Sequence, residues 1–144
     1  MWAKIIESCF EELDSFLKDS EWFGRENEVV NLFAHEFLPR QLGKNSVFTS
    51  LSQVGIEVAV PQVTGSGKQF VRKDLVIWNQ PNGTVWTEES PAVIVEWKVN
   101  KRRACEKDVE WLELFTKKYP ATQGYSVCAF IKKTRGVEFT KVRA

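Results

Sequence analysis

Trp2, Ile5, Ile6, Cys9, Leu13, Phe16 and Leu17 recur at helical spacing, with Glu7, Glu11, Glu12 and Asp14 mostly between them, and this predicts an amphipathic opening helix. Its apolar stripe makes it a candidate lid or dimer contact. After a break near DSEWFG comes a second helical stretch, RENEVVNLFAHEFL, which Pro39 and Gly43 bring to a close. The period then changes. SVFTSLSQVGIEVAV reads as a strand, PQVTGSGKQ as a mobile loop and FVRKDLVIW as a second strand, together a bent pair. NQPNG marks a turn, and TVWTEESP is an ambiguous extension of the hairpin. AVIVEWKV is apolar on both faces, as expected of a central strand covered on both sides. Cys105, Asp108, Val109, Leu112, Phe115 and Tyr119 return to helical intervals and stop at Pro120. GYSVCAFIKK and GVEFTKVRA close the chain as strands joined around Arg135 and Gly136. The expected order is helix, helix, three strands, helix, two strands: one α/β domain over residues 1–144, with a mixed central sheet flanked by helices.

Within AVIVEWKV, side chains alternate, so Ile94, Glu96 and Lys98 share one side while Val93, Val95, Trp97 and Val99 share the other. An acid and an amine in so apolar a strand need a reason. In RKDLVIW, Leu75 and Ile77 take one face and Asp74, Val76 and Trp78 the other. If the two strands pair, Asp74 lies close to Glu96 and Lys98. Two carboxylates on adjacent strands repel and lose hydration unless a cation sits between them, and hard oxygen ligands suit Mg²⁺, with Mn²⁺ as a substitute. Lys98 could then orient a water or stabilise charge on a pentavalent phosphate. A third acid comes from the second helix: at ~100° per residue, Val29, Val30, Phe33 and Phe37 define the buried face, Glu26 falls on it and Glu28 points away. Glu26 is therefore the expected accessory ligand, aimed at the same metal or at a water bound to it. This is the chemistry of phosphodiester hydrolysis.

Composition narrows the alternatives. A chain of 144 residues with 43% hydrophobic and 27% charged content can bury the core of one domain. No apolar run approaches the roughly 20 residues of a membrane span, and acids interrupt the N-terminal segment where a signal peptide needs an apolar centre; no membrane association and a cytoplasmic location are expected. Cys9, Cys105 and Cys128 lack CxxC spacing and are expected to be reduced core thiols. His35 is the only histidine, which excludes multi-histidine metal sites, and its place in LFAHEFL suggests helix packing. No GxSxG stretch offers a serine nucleophile. TGSGK is not a P-loop, because Gln62 and Gln69 stand where glycine and Ser or Thr are required, so no nucleotide cofactor is expected.

The formal net charge of +1 hides an asymmetry: through Glu36 there are nine acids and three bases, and afterwards ten acids and seventeen bases. Only one side of the molecule suits a polyanion. Lys68, Arg72, Lys73, Lys101, Arg102 and Arg103 are the candidate phosphate contacts. Among the tryptophans, Trp2 and Trp111 fit helix cores, while Trp78, Trp86 and Trp97 could pack in the sheet or stack on bases, core packing being the default. Glu88 and Glu89 read as a solvated turn.

ENEVV, GSGKQFVRKDLVI and EWKVNKRR, in this order, resemble the signature segments of the PD-(D/E)XK nuclease superfamily, closest in pattern to its Holliday-junction resolvase branch. The resemblance runs from about Gly24 to Phe130. It implies a restriction-endonuclease-like α-β-β-β-α-β core, with Asp74 and Glu96 as Mg²⁺ ligands, Lys98 at the attacking water and Glu26 as accessory ligand. Lys73, not proline, precedes Asp74, as is common in the superfamily, and the segment between Asp74 and Glu96 is long. The expected activity is metal-dependent endonucleolytic cleavage of DNA, by a homodimer if both strands are cut. The alternative is a non-catalytic nucleic-acid-binding or regulatory module of the same fold; RNA or a junction is a third substrate class.

Overall fold

The computed structural model describes residues 1–65, 67–102 and 105–143. Helix α1 (Trp2–Asp19) and helix α2 (Glu26–Leu32), which continues through a π turn (Phe33–Phe37) and a 3-10 turn (Leu38–Gln41), precede three strands, β1 (Val54–Pro61), β2 (Phe70–Ile77) and β3 (Val93–Val99). Helix α3 (Cys105–Lys118) then leads to β4 (Gln123–Phe130) and β5 (Gly136–Val142). The expected order of elements is the observed one, and the α/β class with it.

The five strands form one mixed sheet in the order β1-β2-β3-β4-β5, antiparallel throughout except for the parallel β3–β4 pair. α3 makes the connection that a parallel pair needs. Every residue from Val93 to Trp97 is buried, because β3 is covered on both faces. One face carries Leu75, Ile77, Val93, Val95, Trp97, Tyr125 and Val127 against α1 and α2; the other carries Val76, Trp78 and Ile94 against Leu112 and Phe115 of α3.

α1 does not offer its apolar stripe as a lid or a dimer contact. Ile5, Ile6, Cys9, Phe10, Leu13 and Leu17 are all buried in the core. Polar ties fix the helix to the sheet: Glu7 accepts from the Tyr125 hydroxyl at 2.9 Å and pairs with Lys141 at 3.1 Å, while Asp14 accepts from the Val137 N–H at 2.7 Å. His35 is exposed rather than packed, since the π turn rotates it outward between the buried Ala34 and Phe37.

The strand expected from Ser46 begins only at Val54. Side chains take the backbone groups that a ladder would have used. Asn45 accepts from the Val47 and Phe48 N–H groups, and the fully buried Gln53 accepts from those of Thr49 and Ser50 at 2.9 and 3.0 Å. The Gln53 amide donates in turn to Val47 O at 2.9 Å and Trp78 O at 3.0 Å. Gln53→Leu keeps the volume and strands these partners, so it should lower stability by about 2 kcal/mol or more, read as a fall in the urea midpoint.

Residues 79–92 form a loop rather than a longer hairpin. Glu88, expected to be solvated, organises it by accepting from the Asn79 N–H at 2.9 Å and the Gln80 N–H at 3.1 Å. The cysteine expectation also changes: Cys105, at the start of α3, and Cys128, on the α3-facing side of β4, are joined as a disulfide, leaving Cys9 as the free thiol. Cysteine usage therefore no longer argues for a reducing compartment. Burial pushes the Cys9 thiol up to about 12, as befits an inert core residue. Among the described residues no helix is long and apolar enough to cross a membrane.

Candidate active site where two strands part

The β1–β2 ribbon changes face midway. Val54 and Ile56 pack with Leu75 and Ile77 on the α1/α2 side, but Val58, Val60 and Val71 pack on the α3 side. The register is the same on either side of a one-pair gap, pairing Ile56 with Leu75 and Val58 with Lys73, so no residue has been inserted. The exchange happens at Glu57 and Asp74, which lie opposite each other in that register. Glu57 has φ +53°, a left-handed conformation that a residue with a long side chain rarely adopts.

At the same point β2 leaves β3. Their ladder runs from Ile77–Val93 to Leu75–Val95, and the next pair would be Asp74–Glu96. Instead the two carboxylates occupy the opening. The Asp74 N–H donates to Glu96 Oε2 at 3.1 Å, and the Trp97 N–H donates to Asp74 Oδ2 at 2.8 Å. Side-chain oxygens thus satisfy backbone donors that lost their ladder partners. The juxtaposition expected of Asp74 and Glu96 is present.

Glu96 is only 6% exposed. Burial, reinforced by the negative charge of Asp74, raises its carboxyl to about 7, even though the Lys73 ammonium lies 2.8 Å from Oε1 and pulls the other way. Lys73, half-buried, lies over the Trp111 ring with its Nζ 3.8 Å from the centroid, so it faces Glu96 and not the solvent where a phosphate contact was expected. The change of face explains this placement, since strict alternation would have put Lys73 with Leu75.

A carboxyl that titrates near 7 folded and at 4.5 ordinarily favours the native state while protonated. That contribution is complete below pH 4.5 and is lost as pH rises through about 7. Without divalent metal, Glu96→Gln should therefore flatten the decline in urea stability across this window. Equal pH slopes for the two proteins would contradict the placement.

Lys98 projects toward two other acids. Its Nζ is 3.4 Å from Asp108 Oδ2 and 3.9 Å from Glu26 Oε1. Burial lowers the Lys98 ammonium, but Asp108 and Glu26 outweigh it and the net shift is upward. Burial raises both Glu26 and Asp108, with Lys98 opposing in each case. Asp108 Oδ2 is buried without a hydrogen bond. Its part in the site was missed because α3 spacing alone marked it as a core-facing position; an acid among apolar residues at that spacing was the available signal.

Glu26, the first residue of α2, does face inward, and Glu28 turns away to pair with Arg25 at 3.0 Å. Glu26 reaches Lys98 rather than joining Asp74 and Glu96 in a triad. Among the described residues, no group of three or more His, Cys, Asp or Glu side chains converges to hold a metal ion. A cavity of about 60 Å³, lined by Glu26, Asn27, Val30, Ile56, Glu57 and Asp74, separates Glu26 from Asp74.

The donor set still fits a hard divalent cation. Glu96 is held beside Asp74 at the cost of a raised carboxyl, which a cation would relieve, and Mg²⁺ commonly takes one or two carboxylates and keeps several waters. Asp74 and Glu96 would hold it.

Of the basic candidates, Lys68, Arg72 and Lys101 are exposed. Arg102 is bound to Glu138 through two hydrogen bonds, at 2.8 and 3.1 Å, and stacks over Phe130. Arg103 lies outside the described residues. No known family, curated protein or solved structure matches the chain.

Proposed function

We propose that the protein is a metal-dependent nuclease of the PD-(D/E)XK type that hydrolyses phosphodiester bonds in DNA. The observation that carries this reading is the meeting of Asp74 and Glu96 where β2 and β3 part, with Lys98 two residues further along β3. The segment α2-β1-β2-β3-α3-β4 has the element order of that superfamily's core. Asp74 and Glu96 supply oxygen ligands for Mg²⁺ or Mn²⁺, which when bound would acidify a water and neutralise charge on the phosphate. Lys98, steadied between Asp108 and Glu26, is suited to orient that water or to stabilise the developing phosphorane charge. Lys68, Arg72 and Lys101 remain free to meet the backbone of a polyanion.

A second reading, a nucleic-acid-binding or regulatory module that does not turn over, draws support from Lys73. Its ammonium already neutralises Glu96, so the buried acid has a counter-ion without any metal. Incubation with supercoiled, linear, single-stranded and four-way-junction DNA in Mg²⁺ or Mn²⁺ separates the two. Cleavage dependent on Asp74 and Lys98 supports the hydrolase, and binding without cleavage in either metal supports the module.

A further inference from the structure

We propose that Trp86 and Phe70 form a stacking platform for an unpaired base of the nucleic acid, which makes a strand with a single-stranded segment, rather than a fully paired duplex, the preferred ligand. This deepens the reading above and rests on it for the direction of the strand. Trp86 is 79% exposed, whereas Trp78 and Trp97 are core residues at 2% and 0%. Its ring meets the half-buried Phe70 at 5.2 Å between centroids and 70° between planes, an edge-to-face contact that leaves most of the indole surface open to solvent.

Main-chain hydrogen bonds order the backbone that carries the indole, and the ring itself rests on Phe70. The Trp86 N–H donates to Thr84 Oγ1 at 3.1 Å, the Thr84 N–H to Thr87 Oγ1 at 2.9 Å and the Thr87 N–H to Thr84 O at 3.0 Å. Next to it, Val85 packs into the α3-side cluster. An aromatic surface ordered in advance loses little entropy on binding.

Position supplies the choice of ligand. Val71 packs on the α3 side, so its neighbours Phe70 and Arg72 share the opposite face of the ribbon. Phe70, Arg72 and Asp74 then step along β2 at roughly 7 Å intervals, close to the backbone repeat of an extended nucleic-acid strand. Arg72 is exposed and outside every ion pair of the described residues. With the reacting phosphate at Asp74, Arg72 meets the adjacent phosphate and the platform takes a base about two nucleotides away. Away from a duplex end, a base can lie flat on an indole only when it has left its own stack.

The test uses Asp74→Asn protein, which should bind without cutting, titrated at low salt with labelled oligothymidylate and with a blunt duplex of equal length. Adding Trp86→Ala should weaken single-strand binding roughly tenfold, Trp86→Phe should restore most of it, and duplex affinity should hold. Unchanged single-strand affinity in Trp86→Ala overturns the proposal, as does failure of the parent to bind either oligonucleotide. A dimer that becomes a monomer on Trp86→Ala in sedimentation also overturns it, assigning the aromatic pair to a second copy of the chain. Trp86-dependent binding with no cleavage by the natural sequence in any metal upholds the platform while rejecting the hydrolase.

Discussion

Asp74→Asn is expected to reduce Mg²⁺-dependent DNA cleavage by on the order of 10³-fold or more, because it replaces an anionic oxygen at the centre of the proposed site. The substitution is nearly isosteric. The amide oxygen can still accept from the Trp97 N–H, so the opening between β2 and β3 should survive. It also removes the charge that helps raise Glu96, and the metal-free variant should be no less stable than the parent in urea. Lys98→Met tests the amine separately: cleavage should fall by a similar order while calorimetric Mn²⁺ binding, assigned to Asp74 and Glu96 in the proposed site, should persist. Full activity in Asp74→Asn would remove the basis for the hydrolase.

The largest effect on stability is expected from Trp97→Ala, at about 3–5 kcal/mol. Trp97 is fully buried, its ring 5.0 Å from that of Phe33 and 5.9 Å from that of Phe10. It thus joins α1, α2 and β3 at the residue between Glu96 and Lys98. Truncation opens a cavity the size of an indole, and the chain at large should unfold at much lower urea. Trp97→Phe should cost far less, since it keeps an aromatic ring and removes an Nε1–H that is buried without a partner. If the alanine variant unfolds at the parent's urea midpoint, the packing described for this residue is wrong. Activity should track folded protein in both variants, because the indole points into the layer opposite Glu96 and Lys98.

The element order was legible because periodicity is strong where burial is one-sided or complete: α1 carries an unbroken stripe, and β3 is β-branched at Val93, Ile94, Val95 and Val99. Asp74, Glu96 and Lys98 could be found because charges in apolar strands stand out. What alternation could not reveal is the exchange of faces at Glu57 and Asp74, which turned Lys73 from a presumed surface cation into the partner of Glu96. Nothing local in IEVAV or RKDLV announces a left-handed glutamate, which stands where the ribbon exchanges faces. Side-chain capture of backbone groups was equally hidden, so the Gln53 network and the Glu88 clamp emerged only from the folded arrangement. Trp86 escaped the default for tryptophan because the long segment around it could be assigned to neither strand nor loop by pattern.

The exchange of faces also determines where the chain can tolerate evolution. Lengthening the tip across residues 62–69 leaves both arms of the hairpin in step and the acid undisturbed, so novel ligand preferences can be grafted there. A single residue added within β1 between Val58 and Pro61 cannot be taken up without a bulge or a slip of that arm, and a slip would turn Val60 from the α3 side to the opposite face.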